Sequence, residues 1–363
     1  MTFRHNTTPQ EDGFRMPGEF EQHRGCWMCW PERSDNWRLG AKPAQSAFTA
    51  VAEAINESEP VTVAVSPAQF NNARGRLSGS IRVVEMSYDD SWMRDVGPSF
   101  VVNDAGDMRA VDWDFNAWGG HYNGLYYPWD KDALVALKVA EIEGTDRYRS
   151  HFVLEGGSIH VDGEGTLITT EECLLSPGRN PDKTKEEIED GLKKYLNLEK
   201  VLWVPRGVHL DETTGHVDNL LHYCAPGVVA LTWTDDTSDR QYERSVEAYE
   251  YLCGVTDAKG RSLTIHKIHQ PGPLFLTAEE AEGIDLTESG MDRAEGDRLA
   301  GSYCNFYIGN DRIVFPLLDE SRDESAKQKL QEIFPDKKIV GIPGREILLG
   351  GGNIHCITQQ VPK

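Results

Sequence analysis

The 363-residue sequence contains no long hydrophobic run. A helix that spans a bilayer needs about 20 consecutive apolar residues, and no segment approaches that length. The first residues, Met1 to Gly13, are polar and lack the apolar core of a signal peptide. We therefore expect a cytoplasmic protein with no membrane partner.

Basic residues are scarce as well. The 37 lysines and arginines stand against 59 aspartates and glutamates, which gives a formal net charge of −22. A surface of this sign repels the phosphate backbone, so we expect no nucleic-acid partner. The same field attracts small cations toward a cleft, although many acidic surfaces only keep a protein in solution.

Patterns typical of disulfide frameworks and metal sites are missing. The seven cysteines are an odd number spread over a long chain, and neither an HExxH motif nor a second CxxC pair is present. We expect reduced thiols, no cofactor and no metal, with a metal site made of His, Asp, Glu and Cys as the rival interpretation. Six of the cysteines are assigned to packing: Cys26, Cys29, Cys173, Cys224, Cys253 and Cys304.

The hydrophobic periodicity predicts an α/β protein. No linker rich in Pro, Gly or Ser divides the chain, so we expect one domain over residues 1–363, with 278–297 as the main loop excursion. The predicted strands are Val61 to Val65, Ile81 to Val84, Leu167 to Thr169, Val201 to Val204, Val228 to Trp233, Leu263 to Ile268 and Ile339 to Ile342. The predicted helices are Ala44 to Asn56, Lys131 to Glu143, Lys183 to Leu196, Arg240 to Leu252 and Glu324 to Ile333.

Two segments of the chain resemble each other. Leu154-Glu-Gly-Gly-Ser-Ile-His-Val161 matches Leu349-Gly-Gly-Gly-Asn-Ile-His-Cys356 at five of eight positions, and Gly215-His-Val-Asp218 lies between them. Each is a glycine turn leading into a short strand, which indicates a repeated supersecondary unit. Repeats arranged around an axis would bring these turns together at one central site.

The turn Gly350-Gly-Gly-Asn-Ile-His-Cys356 makes Cys356 the candidate nucleophile, because glycines let the backbone approach a ligand closely. His216 and Asp218 stand two apart on a predicted strand and would share a face, either for catalysis or as a self-satisfied strand end. Asp95 and Glu155 add carboxylates at other segment ends. Several carboxylates buried beside a thiol favour a cationic, guanidinium-like substrate that they can bind in a forked manner.

Five ordered motifs resemble the agmatine deiminase (agmatine iminohydrolase) family, and more distantly the bacterial peptidylarginine deiminases. The resemblance extends from Met16-Pro-Gly-Glu-Phe20 to Cys356. The motifs are Trp92-Met-Arg-Asp-Val-Gly-Pro98, Phe115-Asn-Ala-Trp-Gly-Gly120, Leu154-Glu-Gly-Gly157, Gly215-His-Val-Asp218 and Gly350-Gly-Gly-Asn-Ile-His-Cys356.

The resemblance implies a fivefold pseudosymmetric α/β propeller of ββαβ-type repeats and hydrolysis of agmatine to N-carbamoylputrescine and ammonia. It assigns Cys356 as nucleophile, His216 as general acid and base, and three carboxylates to the guanidinium: Asp95, Glu155 and Asp218. It also places Trp92 and Glu212 near the substrate, with Glu212, or its neighbour Asp211, as partner of the distal ammonium.

Other functions stay open on the sequence. Deimination of free or peptidyl arginine is the runner-up, although the motifs offer only Arg94, interpreted as structural, to a substrate carboxylate. An amidinotransferase would hand the amidino group to an amine instead of water, and a non-catalytic protein would only bind polyamines or guanidino compounds. We expect a homo-oligomer, since enzymes commonly form one.

Overall fold

The computed structural model describes residues 2–363, and the chain folds there into strands and helices that alternate from end to end. The strands are β1 Arg4–His5, β2 His23–Cys29, β3 Val61–Val65, β4 Arg82–Glu85, β5 Ser99–Val102, β6 Met108–Asp114, β7 Arg147–Val153, β8 Ile159–Val161, β9 Thr166–Thr170, β10 Lys200–Val204, β11 Leu221–Ala225, β12 Val228–Trp233, β13 Thr264–His269, β14 Leu274–Phe275, β15 Arg298–Leu299, β16 Tyr307–Ile308, β17 Arg312–Leu317, β18 Lys338–Pro343 and β19 Gln359–Pro362.

The helices are α1 Pro9–Asp12, α2 Lys42–Asn56, α3 Phe70–Arg76, α4 Met93–Val96, α5 Gly120–Asn123, α6 Val135–Glu143, α7 Glu171–Leu174, α8 Lys185–Leu196, α9 Val217–Leu220, α10 Arg240–Cys253, α11 Ala278–Glu282, α12 Asp323–Ile333 and α13 Arg345–Leu348. Single 3₁₀ turns lie at Asp132–Leu134 and Gly156–Ser158. No helix within residues 2–363 has both the length and the apolar character needed to cross a membrane.

The α/β prediction is confirmed, and every helix and strand predicted from the hydrophobic periodicity is present. β3 and β12 have the predicted bounds, and most others differ from the prediction by one or two residues. The helix predicted from Lys131 starts with the 3₁₀ turn and continues as α6. The periodicity is reliable here because each of the five predicted helices buries apolar residues on one face. Helix α2, for example, buries Phe48, Val51 and Ile55.

Five sheets share one topology. In each of them a first strand pairs antiparallel with a second, and the second pairs parallel with a third. The five sets of three are β5-β6-β7, β8-β9-β10, β11-β12-β13, β16-β17-β18 and β19-β2-β3. In the last set the strand nearest the C-terminus pairs with a strand near the N-terminus, so the two ends of the chain complete one sheet.

Short turns precede the first strand of these sheets, and they carry most of the predicted site residues. α4 precedes β5, the 3₁₀ turn Gly156–Ser158 precedes β8, and α9 precedes β11. The glycine-rich segment after α13 leads into β19 in the same way. The repeated unit inferred from the two similar segments therefore corresponds to a turn followed by the first strand of a sheet.

One local prediction is wrong. His216 and Asp218 do not lie on a strand: His216 directly precedes α9, and Asp218 is part of that helix. The reason is the turn before them, where Gly215 adopts a φ of 81° and the Thr213 hydroxyl accepts a hydrogen bond from the His216 amide. The second His-x-Asp pair differs, because His160 does lie on β8.

Candidate active site

A pocket with a volume of about 490 Å³ opens among the turns before β5 and β19 and the loop around residues 290–293. Its polar wall contains Asp35, Asp90, Asp95, Glu212, Thr213, Arg33, Arg293, Asn36 and Cys356. Its apolar wall contains Trp92, Trp118, Leu125, Tyr126 and Met291.

Cys356 is buried at the base of this pocket, with 4% of its surface exposed. Its thiol donates toward Asp218 Oδ2 over 3.6 Å and accepts a hydrogen bond from Asn305 Nδ2 at 3.2 Å. Burial, followed by the negative charge of Asp218, raises the pKa of the thiol well above its ordinary value. A Cβ at position 352 would lie 2.6 Å from the Trp92 ring and 3.0 Å from Cys356 Sγ, so Gly352 is required there. Because its pKa is raised, Cys356 is protonated at neutral pH.

Gly157 lies where three of the predicted residues meet. A Cβ at this position would lie 2.6 Å from His216 Nδ1, 2.9 Å from Asp95 Oδ1 and 3.0 Å from Asp218 Oδ2. Real side chains do not tolerate such contacts, so the glycine permits the imidazole and both carboxylates to converge.

His216 is buried between two carboxylates. Its Nδ1 lies 3.9 Å from Asp95 Oδ2, and its Nε2 lies 3.6 Å from Glu155 Oε2. Neither ring nitrogen has a hydrogen-bond partner among residues 2–363. Burial lowers the pKa of His216, but Asp95, the nearby Cys173 thiol and Glu155 together raise it well above the ordinary value. The ring is therefore protonated at neutral pH.

Glu155 is completely buried behind His216 and does not line the pocket. Arg179 Nε lies 2.8 Å from Glu155 Oε1, and Arg179 is fixed by donating to the carbonyl oxygen of Thr213 at 2.6 Å. Burial acts to raise the pKa of Glu155, but Arg179, followed by His216, lowers it below its usual value. Glu155 is therefore an ionised partner of the His216 ring.

Asp95 lies on the pocket wall, and both of its oxygens are oriented by hydrogen bonds. Oδ1 accepts from the Gly157 amide at 2.8 Å, and Oδ2 accepts from Trp118 Nε1 at 2.9 Å. Burial and the neighbouring carboxylates Asp218 and Glu155 raise the pKa of Asp95 to about 6, although the charge of His216 acts to lower it. A bound cation would keep this carboxylate ionised at neutral pH.

Asp218 is fully buried next to Cys356. Its Oδ2 accepts a hydrogen bond from His355 Nδ1 at 2.8 Å, whereas its Oδ1 has no partner among residues 2–363. Burial raises the pKa of Asp218, but the His355 contact outweighs burial and lowers the pKa below its usual value. Asp218 is therefore an ionised acceptor with one oxygen free.

Glu212 lines the outer part of the pocket and is already paired. Both terminal nitrogens of Arg293 donate hydrogen bonds to the Glu212 carboxylate, and one of them lies 2.7 Å from Glu212 Oε2. Arg293 also donates to the Gly350 carbonyl and to Asn36 Oδ1. Burial raises the pKa of Glu212 in spite of the arginine. Arg293 thereby connects the loop 283–297 to the loop that carries Glu212 and, through the Gly350 carbonyl, to the segment that leads to Cys356.

Trp92 lies in the pocket wall beside Cys356, in contact range of position 352. Its Nε1 donates to Asp90 Oδ2 at 3.0 Å, and its ring packs against Trp37 with ring centroids 5.1 Å apart. The ring is thereby held with an apolar surface facing the pocket.

The structure brings all seven predicted site residues together. Four of them line the pocket, namely Cys356, Asp95, Trp92 and Glu212. The other three, His216, Asp218 and Glu155, are buried within 4 Å of the first group or of each other. Their chemical roles remain predictions.

Several residues at the site were not identified from the sequence. Asn305 and Arg179 reach it from segments without a motif, whereas His355 stands directly beside the candidate nucleophile and was overlooked there. The motifs offer only Arg94, but two arginines outside the motifs, Arg293 and Arg33, line the pocket.

Arg94 itself is buried and lies away from the pocket. It contacts Glu19 at 3.3 Å, Gln360 at 2.6 Å and the carbonyl oxygen of His355. These contacts fit the structural role expected for Arg94.

Two buried groups lie close enough together to be considered as metal sites. One is Glu155 with Cys173 and His216, and the other is His160 with His222 and His355. In the first group, Arg179 already faces Glu155. In the second, both nitrogens of His355 are engaged by carboxylates at 2.8 Å. Because the protein itself already engages Glu155 in the first group and His355 in the second, we do not interpret either group as a metal site.

Comparison with known proteins identifies close relatives. The model of the Porphyromonas-type peptidyl-arginine deiminase family matches residues 15–362. The agmatine deiminase of Pseudomonas aeruginosa (strain LESB58) is 58% identical over 358 residues, which cover 98% of this chain and 97% of that protein. A solved structure described as agmatine deiminase of Enterococcus faecalis catalyzing its reaction is 53% identical and superposes with a TM-score of 0.97 over 100% of both chains.

Proposed function

Because the chain belongs to the agmatine deiminase family, within the superfamily of guanidino-modifying enzymes, we propose that it hydrolyses agmatine to N-carbamoylputrescine and ammonia. The observation that carries the proposal is a buried thiol, Cys356, between the carboxylates Asp95 and Asp218 at the base of a pocket. A planar cation with several donors matches such a set of acceptors.

Recognition of the guanidinium uses the acceptors that remain free. Asp218 Oδ1 has no partner among residues 2–363, and Asp95 faces the pocket with both oxygens held in place. Trp92 and Trp118 supply flat apolar walls on which a guanidinium can stack. Burial of uncompensated carboxylates is costly, so an arriving cation is favoured over a neutral or anionic ligand.

The reaction begins with Cys356. A guanidinium bound at Asp95 and Asp218 adds positive charge beside the thiol and lowers the thiol pKa. The thiol therefore releases its proton to solvent, where the ammonia formed later takes it up, and the thiolate remains. The sulfur attacks the central guanidinium carbon and forms a C–S bond, which gives a tetrahedral adduct stabilised by the carboxylates. His216 donates its proton to one nitrogen, and the C–N bond breaks to release ammonia.

Hydrolysis completes the cycle. The remaining thiouronium is attacked by water, and His216 accepts the water proton. The C–S bond then breaks with its electron pair returning to Cys356, and the proton of the new hydroxyl group moves to the sulfur as the ureido carbonyl forms, which restores the thiol. The products are one ammonia and one ureido compound per agmatine and water, with no cofactor or metal in any step. Glu155, braced by Arg179, keeps the His216 ring oriented and charged.

The distal ammonium of agmatine is proposed to contact Glu212. Since this carboxylate is already paired with Arg293, the ammonium would share it. A carboxylate has about four lone-pair positions and can accept from both cations.

Deimination of arginine is the second candidate. The observation in its favour is the presence of Arg33 and Arg293 in the pocket wall, where they could meet a substrate carboxylate. Arg33, however, is paired with Asp35 at 2.5 and 3.0 Å, and Arg293 is paired with Glu212. Because both arginines are already neutralised, the pocket mouth favours a substrate without a carboxylate.

Three further properties are proposed. The five sheets of equal topology support a fivefold pseudosymmetric propeller formed as one domain over residues 1–363. Free cysteines throughout residues 2–363 support a reducing, cytoplasmic location. A homo-oligomer is proposed from its frequency among enzymes.

The test compares substrates. Ammonia release would be measured with agmatine, arginine and a blocked arginine peptide, in the presence and absence of a chelator. We expect release from agmatine that the chelator does not alter. Release from the arginine compounds alone would favour the second candidate, and release from none would refute both. A product that requires an added amine would instead identify an amidinotransferase.

A further inference from the structure

His355 lies between two buried carboxylates. Its Nδ1 is 2.8 Å from Asp218 Oδ2, and its Nε2 is 2.8 Å from Glu19 Oε2. Both ring nitrogens therefore face acceptors, which requires a proton on each and a positive charge on the ring. All three side chains are at least 94% buried, so solvent does not weaken these contacts.

Glu19 is fixed independently of His355. Its Oε1 accepts from the Ile308 amide at 2.9 Å, and its Oε2 lies 3.3 Å from Arg94. A firmly held carboxylate on the far side of the ring orients the imidazole toward Asp218.

Two neighbouring histidines differ from His355 in their hydrogen bonds. His222 donates from Nδ1 to the Cys304 carbonyl at 3.3 Å, and its Nε2 has no partner among residues 2–363. His160 likewise has an unpartnered Nε2 there. Burial lowers the pKa of His222 to about 3 and lowers the pKa of His160 well below its ordinary value. Burial and Arg94 also act to lower the pKa of His355, but Glu19 and Asp218 outweigh them and raise it. The titratable and charged groups that face His355 are Glu19, Asp218, Arg94, His160 and His222.

Building on the proposed function, we propose that His355 is a positioning residue that acts through Asp218. Its imidazolium holds Asp218 Oδ2 and leaves Oδ1 directed to the substrate, beside Cys356. His355 is the only ion-pair partner of Asp218 among residues 2–363. Without this cation, Asp218 would lose both its orientation and its charge compensation, and its uncompensated charge would oppose formation of the thiolate.

The test uses His355→Gln, which retains a polar side chain but removes the charge, and His160→Gln as a matched control. His160 belongs to the same cluster, with its ring 5.0 Å from that of His355, but makes no contact with Asp218. The readouts are kcat and KM for agmatine and the pH profile of iodoacetamide alkylation of Cys356 without substrate. Circular dichroism and thermal unfolding establish that each variant is folded.

We expect His355→Gln to lower kcat about 100-fold with KM changed less than about threefold, because the reacting groups are misplaced while most contacts to the substrate persist. The alkylation profile should move to higher pH by about one unit, since the negative charge near the thiol is no longer compensated. His160→Gln should leave the alkylation profile unchanged and kcat within about threefold of the unaltered protein.

The alkylation readout needs no turnover, which separates this inference from the proposed function. If the unaltered protein fails to convert agmatine but His355→Gln shifts the profile, the function is wrong and the positioning role stands. If His355→Gln is folded and shifts neither kcat nor the profile, the positioning role is refuted. Should His355→Gln fail to fold, Glu19→Gln is measured in its place, with a smaller shift in the same direction expected and no shift counting as refutation.

Discussion

Replacement of Asp218 by Asn is expected to make Cys356 more reactive while abolishing turnover. Asp218 Oδ2 lies 3.6 Å from Cys356 Sγ, and both groups are buried. Coulomb's law with an effective dielectric constant of about 20 gives about 4.6 kcal/mol of repulsion between the two anions at this distance. At 1.36 kcal/mol per pKa unit this corresponds to a ceiling of roughly 3 units.

The real shift is smaller, because the carboxylate is partly compensated by His355 at 2.8 Å. We expect Asp218→Asn to lower the thiol pKa by about 1 to 2 units. The sign follows from the charge: an anion beside a thiol disfavours the thiolate, and its neutral isostere removes that effect. Alkylation near pH 8 should therefore be faster in the variant, whereas ammonia release should fall by at least about 100-fold, because a carboxylate that binds the guanidinium is lost.

The assay is the rate of iodoacetamide alkylation of the peptide that contains Cys356, followed by mass spectrometry from pH 6 to 11. The peptide readout is needed because the chain has six other cysteines, one of them exposed. Asp162→Asn serves as the matched control, since Asp162 is equally buried and accepts backbone hydrogen bonds from residues 164 and 166, away from Cys356. An unchanged or alkaline-shifted profile in Asp218→Asn would refute the electrostatic account of this thiol.

Three further predictions follow from other contacts. Gly157→Ala should fold but lose at least about 100-fold in kcat, because its Cβ would lie 2.6 Å from the imidazole next to it; activity within threefold would show that the site can relax. Arg293→Ala should raise KM for agmatine or lower kcat by about tenfold, because the loop 283–297 loses its contacts to Glu212 and to the segment before Cys356. Steady-state or stopped-flow kinetics measure this effect, and unchanged kinetic constants would contradict it. Burial acts to raise the pKa of Glu280, but hydrogen bonds from Arg345 and Thr277 lower it to about 2. Ionised Glu280 therefore contributes stability that is complete above pH 4.5 and is lost as the pH falls toward 2. Thermal unfolding of Glu280→Gln should therefore be less pH-dependent over this range than that of the unaltered protein, and equal slopes would count against it.

The elements of the fold were predictable because most of them follow from local patterns. Helices such as α8 and α10 bury one apolar face, and buried strands such as β12 are short β-branched runs between turns. The α9 turn was not predictable, because a left-handed Gly215 and the hydrogen bond that the Thr213 hydroxyl accepts from the His216 amide override the alternation that suggested a strand. The equal topology of the five sheets was also inaccessible to local patterns, since strand pairing depends on contacts far apart in the chain.

The candidate site was predictable as far as its residues lie in glycine-rich motifs. The groups that hold those residues in place come from elsewhere. Asn305 and Cys356 are 51 positions apart, and Glu19 and His355 are 336 apart. A single sequence carries no signal for pairs at such separations. His355 could have been noticed, because a histidine beside a candidate nucleophile is itself a titratable group.

The central claim is that Cys356 forms a covalent bond with the guanidinium carbon, and single-turnover chemistry with excess protein tests it most directly. Samples of protein mixed with agmatine are quenched in acid at increasing times and digested with a protease. The mass of the peptide that contains Cys356 is measured by mass spectrometry, and N-carbamoylputrescine and ammonia are quantified in the same samples. The account predicts equal amounts of the two products, a transient peptide whose mass is increased by agmatine less one ammonia, and no product from folded Cys356→Ala. Product formation by Cys356→Ala at a rate within about tenfold of the unaltered protein would contradict it.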